Sequence, residues 1–299
     1  MSGGPDSVAL LLLAHAALGP RCSAATVDHG LRPEAAAEAR FVASLCDRLG
    51  VRHAVLSGPL PERTGGSANL SARARALRYG LLQAQAERDD AVIATAHHAD
   101  DQRETVLLRL NRGAGVAGLA GVRTSGGRVV RPLLGWRRAE LAALVVAAGI
   151  APVDDPSNAD DRFDRARLRK RLVEVDWLDP VAVAASAAAL AEADAALAWS
   201  AQRLATERIA DLSDHGSPGG STGVTLDWGG LPAELRRRLV RACLVRLDPA
   251  AQPDGPALTR TIAALDAGRA ATLGRALIRP VPDADRVWRF TLAPPRRAR

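Results

Sequence analysis

The chain has 299 residues, of which 47% are hydrophobic and 24% charged, and its 40 basic and 33 acidic side chains give a net charge of +7. The apolar fraction excludes disorder for most of the chain, and the length favours two domains of ordinary size. Apolar stretches such as 7–17 and 141–148 are far shorter than the ~20 residues that cross a bilayer, so we expect no membrane span and no membrane partner.

Cysteine spacing and charge narrow the class of protein further. Cys22, Cys46 and Cys243 form no Cys-x-x-Cys pair, which is typical of neither a disulfide framework nor a zinc finger. No basic and apolar leader is visible, and we expect a cytoplasmic protein. The positive charge favours a polyanionic partner. It concentrates in 162–171, which holds six basic residues, and in 236–246, which holds five.

Apolar runs alternate with amphipathic stretches through the first half of the chain. In chain order, the periodicity predicts helices over 8–18, 33–49, 69–88, 101–111 and 137–148, separated by strands over 22–27, 51–56, 91–96 and 129–132. This alternation predicts an α/β fold, a parallel sheet with helices on both faces. Ligands of such sheets bind at the carboxyl ends of the strands.

The pattern changes after about residue 151. Polar loops are expected over 58–66, 153–161 and 213–223, an alanine-rich helix over 180–205, a basic helix over 232–247, and short strands within 272–278 and 286–292. We therefore predict a catalytic domain over 1–178, followed by a smaller, mainly helical and basic domain over 179–299.

The opening segment, residues 2–7 (SGGPDS), joins two flexible glycines to a proline, the residue that suits the first turn of a helix. Backbone N–H groups at a helix start bind anions, and serine hydroxyls add donors. The segment indicates a phosphate site, although an ordinary turn before a helix explains these six residues equally well. It is not a Walker A loop, which needs a lysine, because the one lysine of the chain is Lys170.

Acidic residues and histidines follow the strand predicted over 91–96. Asp101 and Glu104 are three residues apart and share one face of the predicted helix, with His98 one turn earlier. Two carboxylates opposite a phosphate site suit Mg²⁺, which prefers oxygen ligands. An acid at a helix start also caps the helix, but a cap needs only one acid, so the pattern favours a site.

Other polar residues are expected at the same edge of the sheet. Asp28 ends the strand over 22–27 and would form a third wall of one pocket. Arg75 and Arg78, three apart on the helix over 69–88, face this pocket or lie in solvent; the sequence leaves both interpretations open.

Together these segments resemble the tRNA(Ile)-lysidine synthetases, a family of the N-type ATP pyrophosphatases, whose pyrophosphate-binding loop is called the PP-loop. The matching segments are SGGPDS at 2–7, VDHGLR at 27–32, AR at 74–75, RY at 78–79, HxDDQxET at 98–105, RGxGxxGLxG at 112–121, RPLL at 131–134, DPSN at 155–158 and RxRxR at 165–169. The resemblance covers roughly residues 2–175 and implies a Rossmann-like, adenine nucleotide alpha hydrolase-like fold.

The resemblance implies an activity, its substrates and its cofactors. ATP would adenylate the C2 carbonyl oxygen of the wobble cytidine in tRNA(Ile) with a CAU anticodon, with the help of Mg²⁺. The amine of free L-lysine would then displace AMP to form lysidine. The sequence leaves the oligomeric state open, a homodimer included.

The resemblance also gives roles to particular residues. ATP binding is expected of Ser2, Gly3, Gly4, Pro5, Asp6, Ser7, Asp28 and Arg112. Metal binding is expected of Asp6, Asp101 and Glu104, and catalysis of these three with His98 and Arg78. Contact with tRNA is expected of Arg75, Arg165, Arg167, Arg169, Arg236 and Arg237.

Several alternatives remain at this point. A tRNA thiolase of the same superfamily would use paired cysteines, and the chain has no suitable pair. A two-metal phosphohydrolase would use 28–29, 97–98 and 100–101 as ligands. In the lysidine synthetases that the chain resembles, a buried strand directly precedes the PP-loop. Only Met1 precedes Ser2 here, so we expect the native chain to begin upstream. An RNA-binding module without catalytic activity follows if that strand is truly missing.

Overall fold

The computed structural model describes residues 1–28, 35–59, 70–153, 164–212 and 223–293. Most of each predicted polar loop lies outside these ranges. The chain divides into two compact units, Met1–Ala191 and Glu192–Arg299. This division falls inside the alanine-rich helix, whereas the predicted domain boundary lies just before it.

The first unit alternates helices and strands, as the sequence predicts. Its elements are α1 (Pro5–Leu18), β1 (Ser23–Asp28), α2 (Ala35–Leu49), β2 (Arg52–Ser57), α3 (Leu70–Arg88), β3 (Ile93–Ala94), α4 (Ala99–Leu110), α5 (Val116–Leu119), β4 (Ser125–Gly126), β5 (Val129–Val130), α6 (Arg138–Ala147), α7 (Asp164–Leu172) and α8 (Pro180–Arg208), which continues into the second unit. Strands β3 and β5 are shorter than predicted. The four-residue helix α5, strand β4 and helix α7, which falls in the basic stretch, were not predicted.

Parallel strand pairs form the sheets of the first unit. Strand β1 pairs with β2 in parallel, and β3 pairs with β5 in parallel, while β4 is antiparallel to β5. The described strands of this unit lie in two separate sheets, β1-β2 and β3-β5-β4. Asp28 is the last residue of β1, and His98 and helix α4 follow β3, so predicted site residues lie at or after the carboxyl ends of these two strands.

Helices α1, α2 and α6 share one apolar core. Val8 of α1, Val42 and Leu45 of α2, and Leu141 and Val145 of α6 are at most 2% exposed. Burying a side chain of this size contributes roughly 1.5–3 kcal/mol. The core therefore anchors α1, and with it the predicted phosphate-binding segment at the start of this helix.

A buried glutamine ties the glycine-rich segment after α4 to that helix. Gln102 is 3% exposed. Its side-chain amide donates to the carbonyl of Val122 at 2.8 Å and accepts from the N–H of Val122 at 2.6 Å. Gly121 has φ +61°, and a Cβ at this position would lie 2.3 Å from Oε1 of Gln102. Both the backbone conformation and the space therefore require glycine at this position.

The second unit combines helices with an antiparallel sheet. Besides the end of α8, its elements are β6 (Ile209–Asp211), β7 (Gly223–Asp227), α9 (Ala233–Leu247), α10 (Gly255–Asp266), β8 (Ala271–Leu273), β9 (Ala276–Pro280) and β10 (Val287–Leu292). The strand order is β6-β7-β10-β9-β8, and the core contains Phe290, Leu226 and Ile278 from the sheet with Leu239 and Leu258 from the helices.

Strands β6 and β7 and helix α10 were not predicted. Strands of three and five residues carry too little periodicity to be recognised. Helix α10 begins with Gly255 and Pro256 after a proline-containing segment, a composition typical of a turn. The side chain of Asp254 accepts from the N–H of Ala257 at 2.6 Å and so starts this helix.

Helix α8 is long and apolar enough to cross a membrane by length and composition, with a mean hydropathy of 1.6 over its most apolar window. No membrane span is expected from the sequence, because its uninterrupted apolar stretches are far shorter than the ~20 residues that cross a bilayer. Alanine supplies most of the apolar character of α8, and one such helix is weak evidence for a membrane span. The expectation therefore stays a prediction.

Replacing Gly121 by alanine is expected to lower the free energy of unfolding by about 2–5 kcal/mol. A left-handed conformation costs a side chain about 1–2 kcal/mol, and displacing Gln102 breaks buried hydrogen bonds worth about 1–3 kcal/mol. Urea unfolding followed by circular dichroism measures this change. Gly149→Ala is the matched control, because Gly149 has φ +68° with open space around its Cβ position; equal losses in both variants would contradict the explanation.

Candidate active site

The predicted phosphate-binding segment forms the start of α1. Gly3 has φ +78°, and a Cβ there would lie 3.1 Å from Val153 and 3.2 Å from Phe41. Gly4 is extended and precedes the helix, and the hydroxyl of Ser7 donates to the Gly4 carbonyl at 3.0 Å. Among the described residues no side chain caps this helix start. Its first N–H groups therefore retain the capacity to bind an anion.

His98 lies at the centre of the site. It directly precedes α4 and is 2% exposed. Its Nε2 is 3.5 Å from Oδ2 of Asp6 on α1 and 3.5 Å from Oδ2 of Asp101 on α4, and its Nδ1 is 3.7 Å from Oδ2 of Asp100. The start of α1 and the start of α4, which are distant in sequence, therefore meet at one buried imidazole.

Opposite charges set the protonation states of His98 and Asp6. Burial alone would lower the pKa of His98, but the hydrogen bond with Asp6 and the charges of Asp101, Asp6 and Asp100 raise it above its usual value. Burial alone would raise the pKa of Asp6, but the hydrogen bond and charge of His98 lower it. The surroundings thus favour an imidazolium between carboxylates.

The two consecutive aspartates have different structural roles. Asp100 accepts from the N–H of Arg138 at 2.8 Å and from Nη2 of Arg103 at 3.3 Å, so it links α4 to α6. Asp101 accepts from the N–H of His98 at 3.2 Å, which makes it a helix cap as well as a neighbour of the imidazole. The capping and site interpretations of Asp101 are therefore both true of the same carboxylate.

Glu104 is paired with an arginine from α7. Glu104 is 2% exposed and accepts from Nε of Arg169 at 2.7 Å and from Nη2 at 3.1 Å. Nη2 of Arg169 also lies 3.9 Å from Oδ1 of Asp101. Arg165, one turn earlier on α7, donates to the hydroxyl of Thr105 at 3.2 Å. These two arginines, expected to contact tRNA, are thus directed at α4.

Asp6 and Asp101 fit a magnesium ion better than Glu104 does. Oδ1 of Asp6 is buried and has no hydrogen-bond partner in the described part of the chain, whereas both oxygens of Glu104 accept from Arg169. No group of three or more His, Cys, Asp or Glu side chains is placed to hold a metal within the described ranges. Magnesium commonly uses one or two carboxylates, with water and substrate phosphates completing its shell.

The remaining predicted residues of the first unit lie outside this cluster. Asp28 ends β1 opposite Ser57 of β2. Arg75 and Arg78 are exposed on α3, where the guanidinium of Arg75 lies 4.9 Å from the ring centroid of Tyr79. The structure does not join these three predicted residues to the His98 cluster by a contact that we can name.

The basic segment 236–246 is largely paired within the second unit. Arg236 pairs with Asp266 and lies over the ring of Trp228, and Arg237 pairs with Glu234 at 3.4 Å. Arg238 pairs with Asp194 at 2.5 Å and Arg246 with Asp211 at 2.8 Å. The charge run therefore overstates how strongly this segment attracts an anion.

Sequence reasoning gave His97 no role in the predicted ATP site and considered it only as a ligand of a two-metal phosphohydrolase. The Thr95 hydroxyl lies 2.9 Å from its Nδ1, and burial lowers its pKa to about 4, with Arg131, Arg75 and Arg165 also lowering it and Asp101 opposing. His97 is thus neutral while its neighbour His98 favours the charged form. The only signal in the sequence was the pair itself, which does not reveal that one ring faces arginines and the other faces carboxylates.

Comparisons with known proteins decide the family. The PP-loop domain family matches residues 1–176. The tRNA(Ile)-lysidine synthase of Novosphingobium aromaticivorans is 46% identical and aligns with 100% of this chain and 89% of its own length; that of Zymomonas mobilis is 38% identical over 99% and 88%. The chain belongs to the tRNA(Ile)-lysidine synthase family. The resemblance identified from the sequence motifs is confirmed.

A solved structure supports the fold of this lysidine synthase family member. The U34-tRNA thiolase NcsA from Methanococcus maripaludis, solved with its [4Fe-4S] cluster, has a TM-score of 0.52 and covers 64% of this chain and 71% of its own. At 17% identity the likeness concerns the fold alone. With the parallel strand pairs, it confirms the predicted Rossmann-like α/β class.

Asp6→Asn is expected to lower the pKa of His98 in the metal-free protein, because it removes a negative partner of the imidazolium. Since the folded pKa of His98 lies above its unfolded value of 6.5, its stabilising contribution is complete below 6.5 and is lost as the pH rises through the folded pKa. Titration by NMR measures the pKa of His98 in the wild type and in Asp6→Asn. Asp47→Asn, at an exposed acid of α2, is the control; an unchanged His98 pKa in Asp6→Asn would refute the pairing.

Arg169→Ala is expected to lower the free energy of unfolding by about 3 kcal/mol, because it leaves the Glu104 carboxylate buried and unpaired. This loss is at the low end of the range for breaking a buried ion pair, because the Arg169 side chain is 31% exposed. Arg167→Ala on the exposed face of α7 should cost less than about 1 kcal/mol.

Thermal and urea unfolding compare these variants. Adding Glu104→Gln to Arg169→Ala should recover part of the loss, because a neutral amide tolerates burial better than a lone carboxylate. If the two single arginine variants lose equal stability, Glu104 does not depend on Arg169.

Proposed function

We propose that the protein joins L-lysine to C2 of the wobble cytidine of tRNA(Ile) with a CAU anticodon, in the cytoplasm. One ATP is consumed, and AMP and pyrophosphate leave. Its membership of the tRNA(Ile)-lysidine synthase family and its PP-loop domain support this activity, which makes the protein a ligase that forms a carbon–nitrogen bond. The observation that carries the proposal is the meeting of Asp6 and Asp101 at His98.

In the first step, the C2 carbonyl oxygen of the cytidine attacks the α-phosphorus of ATP and pyrophosphate leaves. The uncapped first turn of α1, with Ser2, Gly3, Gly4 and Ser7 around it, is placed to hold the pyrophosphate oxygens. Asp6 and Asp101 would hold Mg²⁺, which neutralises charge on the leaving pyrophosphate. Asp28, at the end of β1, is proposed to lie near the nucleotide.

His98 is proposed to position the two carboxylates. At 2% exposure it lies beneath them and does not reach a base in solvent. An imidazolium 3.5 Å from each carboxylate reduces the repulsion between two nearby negative charges. Arg78, exposed on α3, is better placed than His98 to meet the cytidine itself.

In the second step, the lysine amine attacks C2, AMP leaves with the bonding electron pair, and the amine loses a proton. No protein nucleophile is needed, so binding and orientation of the substrates supply much of the rate. Thiolation would instead require a reactive thiol. Cys22, Cys46 and Cys243 are buried, and burial raises the pKa of each, that of Cys243 to about 12, which supports nitrogen transfer over sulfur transfer.

Incubation with ATP, Mg²⁺, labelled lysine and tRNA(Ile) bearing a CAU anticodon tests the proposal. Label should enter the tRNA with release of AMP and pyrophosphate. Asp101→Asn should reduce turnover at least about 100-fold, since it removes a charge at the reacting phosphates, while tRNA affinity stays within about twofold.

Asp47→Asn is the matched control, because it removes one exposed carboxylate from α2 and should keep full turnover. Wild-type protein that binds tRNA and ATP but never incorporates lysine would overturn the proposed function. Equal activity of Asp101→Asn and Asp47→Asn would overturn the assigned site while leaving the reaction intact.

A further inference from the structure

The basic residues of α7 point in two directions. Arg165 and Arg169, four residues apart, are directed at α4, where they contact Thr105 and Glu104. Arg167 and Arg171 are also four apart and therefore share a different face of the helix. The run of charge at 162–171 thus contains two separate sets of guanidinium groups.

The second set lines a cavity of about 390 Å³ between the end of α4 and α7. Its lining residues are Leu108, Asn111, Arg112, Arg167, Leu168 and Arg171. Three of these six side chains are arginines, and none of the described residues that line the cavity is acidic. The lining therefore concentrates positive charge around a concave space large enough for a phosphate group.

The chemistry of the lining selects the ligand class. A guanidinium presents five N–H donors in a planar fork that matches two oxygens of a phosphate. Asn111 adds an amide, and Leu108 and Leu168 supply a short apolar wall. This lining fits a phosphodiester oxygen pair, and it offers no carboxylate to bind an amine or a metal ion among its described residues.

The position of the cavity distinguishes RNA from ATP. Asp101 lies at the start of α4 and the cavity at its end, and nine residues from Asp101 to Leu110 span roughly 14 Å at 1.5 Å per residue. The cavity is thus separate from the carboxylates beside which the α-phosphorus of ATP is proposed to react. A polynucleotide, which carries a phosphate on every residue, reaches both places.

We propose that Arg112, Arg167 and Arg171 bind backbone phosphates of the tRNA while its wobble base occupies the carboxylate site. This inference rests on the proposed function, since it takes tRNA as the substrate. It assigns Arg112 to RNA instead of ATP. Helix α7 then has two functions, because one face organises the carboxylates and the other holds the RNA whose base reacts there.

The salt dependence of tRNA binding tests this proposal. The triple variant Arg112→Gln, Arg167→Gln and Arg171→Gln should reduce the slope of log affinity against log salt by about 2–3, at 0.7–0.9 per lost phosphate contact. The KM for tRNA should rise about tenfold near physiological salt, while the KM for ATP changes less than about twofold.

A second triple variant controls for net charge. Arg40→Gln, Arg48→Gln and Arg52→Gln remove the same charge from exposed positions on α2 and β2 and should change the slope by much less. The three cavity substitutions are also measured one at a time, each with an expected slope change of about 0.7–0.9. The single variants keep the test valid if the triple variant unfolds.

The outcomes separate the two proposals. If the wild type neither binds nor modifies the tRNA, the proposed function fails. If the wild type forms lysidine and the two triple variants have the same salt slope, the cavity does not bind RNA. If the cavity variants raise the KM for ATP as much as that for tRNA, the cavity belongs to the nucleotide, and this inference is wrong.

Discussion

The structure of the site depends on one buried ionic contact, in which His98 lies between Asp6 and Asp101. Each of these three residues is at the start of a helix, and the two helices are far apart in sequence. Only His98 is fully buried, whereas the side chains of Asp6 and Asp101 are 31% and 18% exposed. The two carboxylates therefore stabilise a buried imidazolium that would be costly if it were left alone. The contact thus joins the start of α1 to the start of α4.

A second buried pair extends this organisation to α7. Glu104 receives both hydrogen bonds of a bidentate contact from Arg169, and the same guanidinium approaches Asp101. Glu104 and Asp101 thus lie between the Arg169 guanidinium on one side and the His98 ring on the other. The helix that brings Arg169 to this position also carries Arg167 and Arg171 on its opposite side, where they line the cavity at the end of α4.

The two basic segments illustrate why charge runs are ambiguous. Five basic residues occur in 236–246, yet Arg236, Arg237, Arg238 and Arg246 each pair with an acid of the same unit. The acids come from other elements of the chain, so the net charge of a sequence window does not reveal the pairing. Exposed pairs of this kind add little stability, but they reduce the attraction of the segment for an anion.

The amino-acid sequence by itself determined the family, the α/β class and most elements of the first unit, because spaced motifs and local periodicity are properties of the chain. The sequence did not determine the separate structural roles of the individual carboxylates. Only the tertiary structure shows that Asp100 links two helices, that Glu104 is held by Arg169 and that Asp6 keeps an unpartnered oxygen. These differences arise from neighbours brought together by packing of distant segments, and the physical reason is that burial and partner charge, not residue type, decide how a carboxylate behaves.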